Sequence, residues 1–509
     1  MFSTKKIGMA VLPAVFLLMP FQSFAQISLS VENMALGGGG TTYLTGYETL
    51  FVNPANLYIQ EKNYTLQVSL LQGAGYYDSQ LAVSSPTQRF KRYSETFYPY
   101  DNLRSNRFIN QGNRPDIINR NFSEERLMSN QQSKADIYWM GLKWTREKRS
   151  YAFALRTRIS SRTGLGRGFF SDEPVEINEG YRIDQSFNQQ YQSLHELSFG
   201  YAESFTLLNG LIPQLSEFII GIAPKIVVSG SYLNTNFLNR YNIPEIGSGW
   251  IHEQKFTQQS TGYFSETNDA FYHTNNLPGF TEGSLGDLLR PSGIGMGLDI
   301  GITYLITFGD DFSTLRRQDM PTEKSLRFSF SITDLGAVYQ YEKPLYFETG
   351  YSTREAETPG PVSELLFAGS PGEHLFFLDQ NEEHPLRSAE TRNPSSFDTT
   401  LPASMQAGAL FQINRLKLMG DFSYALSNSA FSSSGLVSYF GVELRPLSFL
   451  PLRAGTRLST DLPGYYSFGA GIETSFFDLN AAVQLKNKSI GPTSEIAGAS
   501  IVGFKFYIP

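Results

Sequence analysis

The feature of this sequence that most constrains its fold is a two-residue alternation of apolar and small or polar side chains. From Gly293 to Tyr304 every second residue is apolar, and the residues between are glycine, aspartate or threonine. Successive side chains of a β-strand point to opposite faces, so this segment predicts a strand with one hydrocarbon face. Residues 325–341, 450–461 and 477–487 show the same alternation. Such strands are typical of a barrel that turns one face to lipid and the other to its lumen.

About fourteen segments of this kind occur along the chain. An even number is typical of bacterial outer-membrane barrels. The sequence therefore predicts an all-β fold, a transmembrane antiparallel β-barrel of about fourteen strands within residues 62–509. The expected strands cover 63–72, 134–144, 149–164, 192–206, 221–234, 292–307, 325–341, 402–414, 415–428, 436–446, 450–461, 464–475, 477–487 and 499–509.

Residues 1–25 have the pattern of a secretory signal peptide. Lys5 and Lys6 precede an apolar stretch, and Ala25 ends a small-residue site that a signal peptidase would cut. A membrane anchor is the alternative, but the apolar stretch is about fifteen residues long and spanning needs about twenty. We expect cleavage before Gln26. Because the rest of the sequence has no run of about eighteen apolar residues, the exported chain would be a periplasmic protein, a secreted protein or a membrane barrel.

The lengths of the connections favour the membrane barrel. Outer-membrane barrels have short periplasmic turns and long extracellular loops. If the chain starts in the periplasm, the connections after odd-numbered strands face outside, and these include the long loops expected at 73–133, 165–191, 235–291 and 342–401. A soluble β-sandwich has no reason to sort its loops in this way. We therefore expect the protein in the cell outer membrane, in contact with outer-membrane lipid.

The composition excludes several classes of function. The net charge of −7 disfavours nucleic-acid binding, which usually requires a basic surplus. The chain has no cysteine, which excludes disulfides, cysteine-ligated zinc and a cysteine nucleophile. Its five histidines show no metal-ligand spacing, and no Gly-x-Ser-x-Gly motif occurs. We expect no catalytic residues, no metal site and no cofactor, and therefore no enzyme.

Residues 26–61 precede the first expected strand and do not alternate. They contain Gly37, Gly38, Gly39 and Gly40, followed by Asn53-Pro54-Ala55-Asn56-Leu57. A glycine-rich stretch and an Asn-Pro-Ala motif before the first barrel strand resemble the long-chain fatty-acid transporter (FadL) family of outer-membrane proteins. That family includes Bacteroidetes members such as the PorV-like component of type IX secretion. The resemblance implies that residues 26–61 form a hatch inside a fourteen-stranded barrel, with the four glycines, Asn53, Pro54 and Ala55 as hatch residues.

The alternation also predicts which side chains face the lumen. Glycines there would leave room for a hatch to approach the wall, and charged residues would pair with the hatch or with each other. The alternative is that the glycines only permit curvature and the charges only face water. The residues expected to face the lumen are Gly293, Gly295, Gly297, Asp299, Gly301, Arg327, Lys417, Asp421, Glu443, Arg453, Arg457, Glu473 and Lys486.

Two functions follow from these expectations. The first is a FadL-like barrel that transports or binds a hydrophobic or otherwise small molecule, with rearrangement of the hatch as the gate. The second is a PorV-like accessory or structural barrel that docks with a secretion or surface-assembly protein through its long loops. The expected partners are accordingly lipid, a hydrophobic ligand or such a protein, and no nucleic acid.

Overall fold

The computed structural model describes the part of the chain that contains the expected barrel. The described residues are 28–62, 64–79, 118–119, 122–124, 127–146, 148–169, 171, 173–178, 180–205, 215–266, 285–307, 324–356, 390–392, 394–431, 435–459, 464–486 and 496–509. The signal peptide expected at 1–25 lies outside these residues. Over the described ranges, no helix is long and apolar enough to span a membrane.

The described chain contains twenty-one strands and a few short helices. The helices are α1 (Val31–Ala35), α2 (Leu285–Leu289) and the 3₁₀ helices Tyr47–Phe51, Pro54–Tyr58 and Arg167–Phe169. The strands are β1 (Leu66–Ser79), β2 (Met128–Arg146), β3 (Arg149–Gly166), β4 (Val175–Ile177), β5 (Gly180–Asp184), β6 (Phe187–Phe205), β7 (Leu215–Ile243), β8 (Trp250–Thr261), β9 (Gly293–Thr307), β10 (Lys324–Gln340), β11 (Leu345–Glu348), β12 (Ser352–Ala356), β13 (Glu390–Arg392), β14 (Phe397–Thr400), β15 (Ser404–Ile413), β16 (Leu416–Ala425), β17 (Gly435–Leu447), β18 (Leu450–Ser459), β19 (Tyr465–Glu473), β20 (Phe477–Lys486) and β21 (Ile496–Ile508).

Fourteen of these strands close into an antiparallel barrel, which confirms the predicted fold class. Each pairs with its neighbour in the order β1, β2, β3, β6, β7, β9, β10, β15, β16, β17, β18, β19, β20 and β21. The barrel closes where the first strand meets the last, with Leu66 opposite Ile508 and Tyr76 opposite Gly498. Closure forms the backbone hydrogen bonds that the two edges of an open sheet would lack.

The alternation explains how the wall is built. In β9, Ile294 and Met296 are exposed, whereas Gly297 and Asp299 are buried. Large apolar side chains are exposed on the outer face around the whole barrel, at least one from every strand. One from each strand, in barrel order, gives Leu70, Trp139, Leu155, Phe199, Ile222, Met296, Phe328, Ile413, Phe422, Phe440, Leu452, Phe468, Phe477 and Phe504.

The two ends of the barrel differ. At one end, here the short-turn end, β2 and β3, β15 and β16, and β17 and β18 are joined by two residues each. The other end, the long-loop end, carries the remaining short strands. There β7 leaves β9 and continues beyond it, pairing instead with β8, and β8 pairs in turn with β11 and β12. A sheet therefore stands above the barrel at this end.

The expected loops are consequently too wide. Strand β7 extends to Ile243 instead of ending at 234, and β4, β5, β8 and β11 to β14 lie within ranges expected to be loops at 165–191, 235–291 and 342–401. The loop expected at 73–133 begins and ends in strand, because β1 reaches Ser79 and β2 starts at Met128. The extension of β7 carries polar residues on both faces, with Asn236 and Arg240 on one and Thr235 and Asn239 on the other, so it lacks the clear apolar alternation that identified the barrel strands.

Candidate functional site in the barrel lumen

The residues before β1 lie inside the barrel. Helix α1 contacts β18 to β21 and β1, whereas the 3₁₀ helix Pro54–Tyr58 contacts β3, β6, β7 and β9. A segment that touches strands on opposite sides of a closed barrel must occupy its lumen. Residues 28–60, here the lumenal segment, are buried almost throughout. A gating role for the segment stays a prediction.

The glycine run passes close to the wall. Gly37 and Gly38 have positive φ angles of 86° and 103°, a conformation that favours glycine. A Cβ at Gly37 would lie 2.5 Å from the carbonyl oxygen of Thr456 on β18. After the turn, the backbone N–H groups of Gly40 and Thr41 donate to Asp421 over 2.8 and 2.9 Å. Asp421, one of the residues expected in the lumen, thus holds the end of the glycine run.

The Asn-Pro-Ala motif forms the start of a helix against the opposite wall. The Asn53 side chain caps the 3₁₀ helix by accepting from the N–H of Ala55, and Pro54 occupies the first turn, where its missing N–H has no cost. Asn53 Nδ2 donates to Thr303 Oγ1 on β9 over 3.0 Å. The same Thr303 donates to Asn56 Oδ1 over 2.6 Å. The motif therefore anchors the segment to β9.

Glycines of the wall receive the lumenal segment. A Cβ at Gly221 or Gly301 would overlap Ala55 or Asn53, and a Cβ at Gly455 would lie 2.5 Å from the backbone nitrogen of Gly37. Gly141, Gly200 and Gly469 meet the segment in the same way. The sequence-predicted Gly293, Gly295 and Gly297 lie beside Gln340, Val338 and Lys225 of the wall instead.

An ionic cluster ties the segment to the barrel at the short-turn end. Lys505 bridges Glu32 and Glu48, at 2.6 and 2.5 Å. Glu61 pairs with Lys417 at 2.6 Å and lies 3.9 Å from Arg327, whose guanidinium also donates to Thr42 O. Burial raises the pKa of Glu61, but Lys417 and Arg327 outweigh it, so the pKa lies below its ordinary value.

The same cluster continues along the wall. Arg453 and Arg445 both pair with Glu443 and Glu473, and Tyr43 of the lumenal segment donates to Glu443. Opposite charges within these distances offset part of the cost of removing each group from water. Arg457, also expected in the lumen, stacks its guanidinium 4.1 Å from the ring centroid of Tyr465. Lys486 belongs to β20, but its side chain lies outside the described residues.

A second ionic cluster lies in the middle of the lumen. Arg158 on β3 pairs with Glu196 on β6 at 2.6 Å and with Asp334 on β10 at 2.8 Å. Lys225 on β7 pairs with Asp334 and, at 2.8 Å, with the sequence-predicted Asp299. A register shift in β10 and a φ of 60° at Asp334 turn this carboxylate inward. These contacts form an ionic layer across the lumen, here the central layer, to which Arg156 and Asp136 also belong.

Aromatic side chains cover the central layer from both sides. On the side of the lumenal segment, the ring centroid of Phe51 lies 3.8 Å from the guanidinium of Arg156. On the other side, the ring of Phe431, from the connection between β16 and β17, lies 4.8 Å from the guanidinium of Arg158. Ser160 Oγ donates to Ala430 O over 2.6 Å and fixes that connection in the lumen. Two separate parts of the chain therefore pack against the central layer, one on each side.

Sequence reasoning missed most of the central layer. Arg156, Arg158, Glu196, Lys225 and Asp334 come from four strands. The one available signal was that Arg156 and Arg158 are two residues apart in an expected strand, so they share a face and require carboxylates opposite. Within the described ranges, no group of three or more His, Cys, Asp or Glu side chains is arranged to hold a metal ion.

The fold and its interior define a class of protein, a closed fourteen-stranded antiparallel barrel with a lumenal segment. The model of a family described as "Family of unknown function (DUF5723)" matches residues 54–483. The chain belongs to this family. No curated protein matches the sequence.

Solved structures of barrels are similar to this chain at low sequence identity. The TodX deltaS2S3 mutant monoaromatic hydrocarbon channel is 12% identical, with a TM-score of 0.47 over 95% of this chain and 99% of that one. The Ralstonia pickettii toluene transporter TbuX is 11% identical, with a TM-score of 0.41 over 95% and 99%. A Pseudomonas aeruginosa FadL homologue is 12% identical, with a TM-score of 0.36 over 95% and 98%.

Proposed function

We propose that this protein is an outer-membrane barrel of the FadL type that transports or holds a small molecule, with the lumenal segment as a hatch that must move to open the path. The observation that carries the proposal is the fit between the segment and the wall. The segment packs its backbone on glycines of several strands and pairs Glu32 and Glu48 with the buried Lys505. A barrel of this strand number is wide enough to leave a passage if the segment is removed.

The outer surface supports a membrane location. All fourteen strands expose large apolar side chains, which would form an apolar surface far larger than soluble monomers carry. Trp144, Tyr151 and Tyr201 cluster near the short-turn end, with ring centroids 5.3 and 5.4 Å apart. Aromatic groups of this kind flank the apolar band of outer-membrane barrels. The short-turn end would face the periplasm and the long-loop end the outside.

The chemistry of the contacts supports movement of the segment. The ion pairs and hydrogen bonds to the wall can be replaced by contacts with water, and the apolar contacts of Leu50, Leu57 and Ile59 set the cost of opening. Glu61 and Lys62 already lie part-exposed at the short-turn end, and Lys62 pairs with Asp478. We propose that release starts at this end.

Conductance measurements test the proposal. Full-length protein and a variant lacking residues 28–60 would be reconstituted in planar bilayers, and uptake of labelled fatty acid, toluene and a neutral sugar would be measured in liposomes. We expect low conductance from the full chain and at least tenfold higher conductance from the deletion variant. Equal conductance of the two folded proteins, together with no uptake of any probe by the full chain, would rule the transport function out.

The sheet above the barrel favours a second candidate function. Strands β5, β8 and β12 extend the wall at the long-loop end, where Ile246 and Tyr351 are exposed. We propose as the alternative a PorV-like accessory barrel that docks with a secretion or surface-assembly protein through this end. Purification from native membranes separates the two functions. A stoichiometric protein partner supports the alternative, and a copurifying small molecule supports transport.

A further inference from the structure

The inner face of the wall near the long-loop end carries a high density of carboxamide side chains. Antiparallel partners directly opposite each other share a face, so the register identifies the residues of that face. Arg162 lies opposite Gln132 on β2 and Gln190 on β6. Gln190 lies opposite Asn234 on β7, which lies opposite Gln259 on β8. One row across five strands is therefore glutamine, arginine, glutamine, asparagine, glutamine.

The neighbouring row repeats the chemistry. Asn130 lies opposite Gly164, which lies opposite Asn188, and Asn188 lies opposite Asn236. A Cβ at Gly164 would lie 2.8 Å from Asn188 Oδ1 and 2.9 Å from Asn130 Oδ1. The glycine thus lets two carboxamides from flanking strands approach over β3. We call these eight side chains the carboxamide face: Asn130, Gln132, Asn188, Gln190, Gln192, Asn234, Asn236 and Gln259.

The carboxamide face is on the lumen side of the wall. Ser160, opposite Gln192, bonds to Ala430 of the connection between β16 and β17, whose Phe431 contacts the central layer. Gln132 Nε2 reaches the same carbonyl over 3.4 Å. All its members except the buried Gln192 are partly or fully exposed. Among the described residues, the face therefore lies on the long-loop side of Phe431.

We propose that the carboxamide face binds a neutral, hydroxyl-rich ligand, such as a linear oligosaccharide. A carboxamide both donates and accepts hydrogen bonds, and so does a hydroxyl, so each can satisfy the other without charge. Two hydrogen bonds within the face are long, at 3.3 Å from Gln190 to Asn234 and 3.5 Å from Asn236 to Asn234. These side chains can exchange such bonds for bonds to a ligand.

The surroundings of the face fit the same ligand class. Tyr346 lies opposite Gln259, and the rings of Tyr232 and Phe397 pack at 5.8 Å beside Gln192, so aromatic rings border the face where the C–H surfaces of a sugar would pack. Arg162 lies within the face, between Gln132 and Gln190, and Glu348 lies at its margin; the two charges have opposite signs. An apolar ligand would bury the carboxamides without partners, which is unfavourable.

Oligosaccharide binding to the full-length protein tests the inference. The protein is purified in lauryldimethylamine oxide, so that no sugar headgroup of a detergent competes with the probe. The probes are neutral linear hexasaccharides of glucose, xylose and mannose, with hexagalacturonate and palmitate as charged and apolar comparisons. We expect at least one neutral hexasaccharide to bind, and Gln190→Leu with Asn234→Leu to weaken it at least tenfold. Gln259→Leu should also weaken binding, whereas Gln254→Leu, on the other face of β8, should not.

Thermal unfolding of each variant shows whether the variant is folded when its binding is measured. Binding of no neutral probe by the wild type would overturn the inference, and so would unchanged affinity in a folded double variant, or equal losses from Gln259→Leu and Gln254→Leu. Because the lumenal segment stays in place, the result does not depend on its movement. Failure here would leave the conductance test of the hatch unaffected.

Discussion

Substitution of Gly455 by alanine is a direct perturbation of the contact between the wall and the lumenal segment. The new methyl group would lie 2.5 Å from the backbone nitrogen of Gly37 and would overlap Leu36. Both contacts are with backbone, which cannot rotate away as a side chain can. Overpacking of this kind costs about 1–3 kcal/mol. Since each 1.4 kcal/mol is about tenfold, the docked segment should open roughly 5- to 150-fold more often.

Hydrogen exchange read by mass spectrometry measures that opening. Amides in residues 28–60 of Gly455→Ala should exchange faster than in the wild type, while amides of the barrel strands serve as the internal reference. Gly420→Ala is the matched control, because its methyl group would meet only the ring of Phe440 at an ordinary 3.7 Å. Equal exchange of the segment in the two variants would refute the proposed packing.

Three further changes test other parts of the interior. Arg158→Ala removes a buried partner of Glu196 and Asp334 and should lower the free energy of unfolding by about 3–5 kcal/mol. Arg149→Ala breaks an exposed ion pair on the same strand and should leave the free energy of unfolding almost unchanged. Denaturant unfolding in detergent compares them, and similar losses would contradict the buried layer. Glu61→Gln should lower stability at neutral pH. The pKa of Glu61 is lowered in the folded protein, so its charge stabilises the fold above about pH 4.5. This contribution is lost as the pH falls through the lowered pKa. The thermal midpoints of wild type and Glu61→Gln should therefore converge in acid, and a constant difference down to about pH 3 would contradict this assignment. Phe431→Ala removes a cation–π contact of about 0.5–2 kcal/mol. Small solutes should then enter faster from the long-loop side, with no faster hydrogen exchange in residues 28–60. Unchanged entry would show that Phe431 does not close the lumen.

The barrel could be predicted because lipid on one side of the wall and a polar lumen on the other impose an alternation of apolar and polar residues, which is visible in one sequence. A strand between hydrocarbon and a polar lumen must alternate, so β9, β18 and β20 were visible with nearly correct ends. The upper part of β7 was not visible, because beyond the apolar band neither face is required to be apolar. There Asn236 and Asn239 occupy opposite faces of the strand, so both faces carry polar residues.

The interior was only partly predictable. Asp421, Glu443 and Arg453 were expected in the lumen because they lie on strands with clean alternation. Arg158 was not, because every residue of β3 in the stretch 156–161 is buried, and an alternating pattern cannot appear where neither face of a strand is exposed. Partners are also remote in sequence, as Lys505 and Glu32 are 473 residues apart. Only the closed fold shows which charge meets which.

Cross-linking shows whether the lumenal segment packs against the inner wall of the barrel. The chain has no cysteine, so an introduced pair reacts without background. A Cβ at Gly441 would lie 2.9 Å from the Cβ of Leu36, close enough for a disulfide after a small shift toward the usual spacing of about 3.5–4.5 Å. We predict that Leu36→Cys with Gly441→Cys cross-links on mild oxidation in intact outer membranes, and that Leu36→Cys with Gly420→Cys does not. If the first pair does not cross-link, or both pairs cross-link equally, the lumenal segment does not pack against β17 as described.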